Sequence, residues 1–238
     1  MSPLIPSLAL LLATVAQEAS EKPRAEAAPA AGFQAPKEWK PLGPHLWFDP
    51  TSEPKRLIVE ARIVLREGPL EHLLCLKGTK EHEAVLATAA APKQIHAGLL
   101  LTGAEVGHPV RFRPKFEPPS GSPIVITARW DKDGKTVEAD ARAWIKDDKA
   151  GKELSLDWVF AGSTIYEDPI TKKKVYAADE GDLITVANFG SSILDLPVAS
   201  SADNANLFFI ANTEKIPPLG TEVRLILAPR PSKPAKAP

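Results

Sequence analysis

The chain has 238 residues, 44% of them hydrophobic, and its 29 Lys plus Arg are balanced by 30 Asp plus Glu. That balance excludes the single-sign field that steers a protein toward a polyanion, so neither nucleic acid nor a charged membrane surface is an expected partner. Twenty-four prolines disfavour long helices, one methionine excludes a Met-rich groove, and one cysteine excludes an internal disulfide.

In chain order, residues 2–16 form an apolar run too short to cross a bilayer, ending in small residues at Thr14 and Ala16. This predicts a signal peptide over residues 1–16, cut near Ala16, although no Lys or Arg precedes the run. The mature chain is then expected in the periplasm or cell envelope, or secreted, without a transmembrane segment. No cysteine follows the run, which argues against a lipid anchor. Residues 17–38 are rich in Ala, Pro and Glu and have nothing to bury, so they read as a disordered spacer.

Packing is expected to begin near Trp39 and to continue to residue 228 as one β-rich domain, with a break at 117–123 as the place where two smaller domains could divide. Residues 57–65 are apolar at every odd position, the period of a strand with one buried face. Residues 73–77 and 84–88 read as two further strands around Gly78, joined as a hairpin. A two-residue turn at Gly78-Thr79 sets Cys75 opposite His82, whereas a four-residue loop pairs Leu74 with Val85 and leaves Cys75 facing Ala84. The second register matches the apolar positions better.

Pro92 suits the first helical turn and Gly103 the residue just past the end, so a helix is predicted over 92–102. Gly98 inside it costs roughly 1 kcal/mol against alanine, which points to a close approach by a neighbour. Strands follow at 124–130, 136–146, 154–160, 175–178, 183–188, 207–211 and 223–227. Residues 229–238 form a Pro/Lys/Ala tail, read as disordered. The fold class is α+β, a mostly antiparallel β-sheet of about ten strands with one helix.

Several segments carry a resemblance. Glu71-His-Leu-Leu-Cys75, Gly78-Thr-Lys-Glu-His-Glu83, Ile95-His-Ala-Gly-Leu-Leu-Leu-Thr-Gly103, Trp158-Val-Phe-Ala-Gly-Ser163 and Val175-Tyr-Ala-Ala-Asp179 resemble the YdjY-type domain, over roughly residues 56–197. The resemblance implies an exported bacterial protein of a kind frequent in planctomycetes, and it carries over no catalytic assignment. Relatives have been loosely associated with iron–sulfur chemistry, but a cluster needs four ligands, mostly cysteine thiolates, and this chain has one cysteine.

Three uses of the central motif compete. His82, Glu83 and His96, with Cys75, offer imidazole, carboxylate and thiolate ligands to a divalent ion such as zinc, though the spacing matches no strong metal signature. Blue copper fits less well, because the only methionine is Met1. Alternatively Cys75 is a nucleophile activated by His82 or His96, with Glu81 or Glu83 orienting the imidazole. The preferred reading makes Cys75 a small core residue, with Glu81, His82, Glu83 and His96 as a structural or ligand-binding polar cluster. A second cluster contains Gly162-Ser163, Tyr176, Asp179, Asp182 and Asp195 at strand ends; Ser163, His96 and Asp179 can be written as a triad, but no Gly-x-Ser-x-Gly elbow surrounds Ser163, and turn chemistry explains these residues adequately. The function expected from sequence is therefore an exported module that binds or scaffolds an envelope partner or small ligand. A metal-dependent or cysteine-dependent enzyme is the alternative.

Overall fold

Strand β3 (Arg56–Ile63) is the hinge of the architecture, because each of its edges is used and one is used twice. One edge pairs with β16 (Glu222–Pro229); the other pairs first with β2 (Leu46–Asp49) and then, from Arg62, with β6 (Ala84–Thr88). A computed structural model of the chain describes residues 33–200 and 208–231, and the predicted signal peptide, most of the spacer and most of the tail lie outside them. From Ala35 onward the chain forms one compact unit, and residues 117–123 lie inside it.

The remaining strands before the helix are β1 (Lys40–Gly43), β4 (Pro69–Leu70) and β5 (His72–Leu76), and the helix itself is α1 (Pro92–Leu101). After it come β7 (Pro123–Lys132), β8 (Lys135–Asp140), β9 (Ile145–Asp147), β10 (Trp158–Phe160), β11 (Ile165–Glu167) and β12 (Lys174–Tyr176). β13 (Asp182–Thr185), β14 (Leu194–Asp195) and β15 (Phe209–Ala211) precede β16.

Eight of these strands close on themselves in the order β3-β16-β7-β10-β14-β13-β5-β6 and back to β3. The fold is therefore β-rich with one α-helix among the described residues, as the sequence predicts, but the sheet is a closed barrel of mixed direction. Closure leaves no exposed sheet edge around the ring and lets side chains fill the interior. β7 shows the cause plainly: Ile124, Ile126, Ala128 and Trp130 are buried in strict alternation and join Val59, Leu86, Phe160, Ile184 and Leu225 in one apolar core.

The hairpin predicted at Gly78 does not form. β5 and β6 run parallel, with His72 beside Ala84, Leu74 beside Leu86 and Cys75 beside Ala87. β13 and β14 make a second parallel pair. Parallel strands tend to be buried on both faces and read as continuous apolar runs, and β6 is buried at all five positions. A run without alternation does not announce its direction. The strand expected over 136–146 is also broken, because the Asp140 side chain accepts the Arg142 N–H at 3.0 Å and caps a short 3-10 turn at Ala141–Trp144.

Helix α1 lays Ile95 and Leu99 into the same core as Leu46 and Leu57. A Cβ at Gly98 would collide with the Leu57 side chain, so the glycine is what lets the helix approach β3. No helix among the described residues is long and apolar enough to cross a membrane.

Candidate functional site

Parallel pairing sets the start of β5 beside the start of β6, and that juxtaposition builds the site. The Glu83 carbonyl accepts the backbone N–H of both Glu71 and His72 at 3.1 Å. The seven-residue return between the strands is held by its own bonds: Glu81 accepts from the Gly78 N–H at 2.9 Å, Thr79 donates to the Leu76 carbonyl at 2.5 Å, and the Glu83 N–H reaches the Lys80 carbonyl at 3.1 Å. Gly181, at φ +122°, lets this loop press on β13, since a Cβ there would meet the Thr79 side chain. Among the described residues, one group of metal-ligating side chains converges as a result: a ring nitrogen of His72 and a carboxylate oxygen from each of Glu71 and Glu83 lie within 4.8 Å of one another.

His72 is completely buried, and its Nε2–H donates to Asp182 Oδ1 at 2.8 Å. Asp182 also accepts from the Ser191 hydroxyl. Burial opposes ionisation of Asp182, but these bonds from His72 and Ser191 hold its carboxyl below the ordinary value. With Nε2 engaged, the nitrogen left over is Nδ1, which is buried and has no hydrogen-bond partner among the described residues. The ring is further fixed by stacking on Phe189, with centroids 5.4 Å apart and planes 13° from parallel. Glu71 is in the opposite situation. Partial burial, then the neighbouring charge of Glu83, push its carboxyl above the ordinary value. Glu83 has basic side chains nearby, Lys80 at 3.9 Å and His82 at 3.6 Å. Two partly buried carboxylates and an oriented imidazole with a free lone pair can together hold a cation.

A family model described as the YdjY domain matches residues 52–228. The chain belongs to the YdjY family. No curated protein and no solved structure matches it significantly. The match contains the whole Glu71, His72, Glu83 and Asp182 arrangement, so the site is part of the YdjY domain itself.

The residues singled out from sequence scatter within this YdjY domain. Cys75 is fully buried with Ala84, Ala87 and Val64, and burial pushes its thiol up to about 11. A protonated thiol among alanines suits neither a nucleophile nor an iron–sulfur ligand. Accordingly, Cys75 is expected to react with an alkylating agent at neutral pH roughly 100-fold or more slowly in the native protein than in urea, as followed by mass spectrometry. Comparable rates in the two states would restore the cysteine-dependent reading. Glu81 caps its own loop, and the His82 side chain is 75% exposed beside Glu83.

His96 lies elsewhere. Its Nδ1 is 2.8 Å from the Tyr176 hydroxyl, its ring meets Phe160 edge-on at 4.9 Å, and burial holds its imidazole below the ordinary value. Ser163, in a left-handed conformation at φ +62°, sits beside the same phenol, while Asp179 faces outward in a 3.0 Å ion pair with Lys93 of α1. The Ser163, His96 and Asp179 triad is therefore not assembled, and Tyr176 occupies the imidazole. Of the four candidate metal ligands, Glu83 alone belongs to the converging group. Sequence reasoning did not single out Glu71 or His72, and it set Asp182 in the second polar cluster rather than with Glu83. The available signal was a Glu-His dipeptide at the mouth of an apolar strand, and it acquires meaning only when that strand runs parallel to the next.

Proposed function

We propose that this YdjY protein is an exported, non-catalytic binding module of the cell envelope whose binding centre is the Glu71, His72 and Glu83 face at the start of β5. The observation that carries the reading is the convergence of two carboxylates on one buried imidazole. Glu71 is held partly buried beside Glu83, within 4.8 Å of its carboxylate and of a His72 ring nitrogen, and burial with that neighbouring charge opposes its ionisation. An arrangement that destabilises the free protein fits a site kept for a ligand, because stability and binding capacity trade against each other at functional positions. Against catalysis stand the buried thiol of Cys75 and the separation of His96 from any orienting carboxylate among the contacts described. Export is supported by the apolar start and its small-residue end.

The reading is tested without knowing the ligand. Glu71→Gln keeps the side-chain shape and removes one of the two facing charges. It is expected to raise the urea midpoint, by the equivalent of roughly 0.5–1 kcal/mol, the usual scale for relief of a like-charge contact. A loss of stability of similar size would mean that Glu71 serves the fold, and the binding-module proposal would fall.

A further inference from the structure

We infer that Glu71, His72 and Glu83 bind a first-row divalent metal ion, zinc above manganese, with Asp182 as the residue that fixes the imidazole. The inference rests on the binding-module reading and names its ligand.

The donor set is the first argument. An imidazole with two carboxylates suits borderline ions of the zinc and manganese kind, whereas calcium and magnesium take oxygen donors and gain nothing from a histidine. Affinity at such a mixed site rises from manganese to zinc. The second argument is the orientation of His72. A metal-ligating histidine characteristically gives its other ring N–H to a carboxylate, which sets the tautomer and raises the basicity of the free nitrogen. Here Nε2–H donates to buried Asp182, itself held by Ser191, and leaves Nδ1 as a completely buried lone pair without a partner among the described residues. A purely structural histidine has no reason to leave that nitrogen empty, since a buried polar atom without a bond costs roughly 1–3 kcal/mol.

Geometry permits the ion. Donors at zinc bond lengths near 2.1 Å stand roughly 3.3 Å apart, and a ring nitrogen of His72 and a carboxylate oxygen of each glutamate already lie within 4.8 Å of one another. The remaining adjustment falls on the two glutamates, which are only partly buried, while the imidazole stays fixed by Asp182 and Phe189. Three protein donors leave coordination positions for water or for an oxygen of a partner. Lys80, 3.9 Å from Glu83, is the competing cation that a metal would displace.

The test uses the full-length protein, stripped with a chelator and titrated with Zn2+ against a chromophoric competitor, then with Mn2+, Ca2+ and Mg2+. The expected result is saturable Zn2+ binding of about one equivalent, weakened at least 10-fold in Glu71→Gln and in Glu83→Gln, and by about 10–100-fold in Asp182→Asn, the usual cost of losing an orienting partner. Lys80→Met should tighten binding several-fold, because a like charge near the ion is removed. Glu71→Gln and Glu83→Gln change partly exposed groups and should fold, as circular dichroism and the urea midpoint will report. Absence of saturable Zn2+ binding overturns the metal assignment, as does binding indifferent to both glutamate variants or Ca2+ binding as tightly as Zn2+. If Glu71→Gln still stabilises the protein while Zn2+ fails to bind, the module reading survives with another ligand. If Glu71→Gln destabilises and Zn2+ also fails to bind, both readings fall together.

Discussion

His72→Leu is expected to destabilise the protein by about 3 kcal/mol, because removing the imidazole takes from the buried Asp182 carboxylate the N–H that donates to it and leaves a buried charge under-compensated. The Asp182 side chain is 7% exposed and keeps only the Ser191 hydroxyl and its surroundings once the imidazole is gone. The value sits at the low end of the range for such losses because Ser191 continues to donate. For a domain near 200 residues the melting temperature should fall by roughly 6–12 °C. The double variant His72→Leu with Asp182→Leu should recover at least half of the loss, since two apolar side chains of similar volume can replace a buried pair at little cost. Calorimetry on the wild type, on His72→Leu, on Asp182→Leu and on the double variant closes the cycle. If His72→Leu costs less than about 1 kcal/mol, the pair contributes packing only, and the fixed orientation of the His72 ring loses its structural support.

This pair illustrates what could be read beforehand and what could not. Strand β7 and the interior of β3 are legible because one residue in two is apolar, and that alternation survives in the fold as Ile124, Ile126, Ala128 and Trp130. Helix α1 is legible through Pro92 at its first position and Gly103 past its end, and even Gly98 is explained by the contact it allows with Leu57. Direction was not legible for β5 and β6. Both are apolar at nearly every position, so the pattern is indifferent to reversal, and a short connection made the antiparallel choice look natural. The choice mattered for function. A hairpin places Glu83 opposite the end of β5, near Cys75, whereas the parallel pair carries it back to Glu71 and His72.

Barrel closure was hidden for a related reason. It depends on two residues at the end of β3, Arg62 and Ile63, pairing with Ala87 and Leu86 after β2 has already used the first half of the same edge. Strand β7 repeats the device, giving β10 its first residues and β8 its remainder. Sharing of an edge leaves no mark on hydrophobic periodicity. The consequence is that β13 pairs directly with β5, and Asp182 of β13, with Phe189 and Ser191 from the segment that follows it, surrounds His72.

Strand β14, which follows that segment, contains Asp195, whose titration yields the second large effect. Asp195 is fully buried on β14, and burial pushes its carboxyl up to about 7, against the Leu196 N–H, the Asn188 amide and the Thr185 hydroxyl that donate to it. In the unfolded chain the group returns to its ordinary value of 3.8. Between those two values the folded state binds more protons than the unfolded state, so stability falls as pH rises. The contribution of Asp195 is fully present below about pH 4, is lost progressively up to about pH 7, and changes little above. Its size is at most about 4 kcal/mol, the free energy of a shift of roughly three units. Asp195→Asn removes the titration while keeping an oxygen for the Leu196, Asn188 and Thr185 donors. Other carboxylates, Asp182 among them, have lowered values and give the opposite slope, so the readout is the stability of Asp195→Asn minus that of the wild type. That difference is expected to rise between pH 4 and pH 8 in urea denaturation, with most of the change complete by pH 7. A flat difference would show that the carboxyl ionises inside the barrel as readily as in water, and that the Thr185, Asn188 and Asp195 network solvates charge far better than its burial implies.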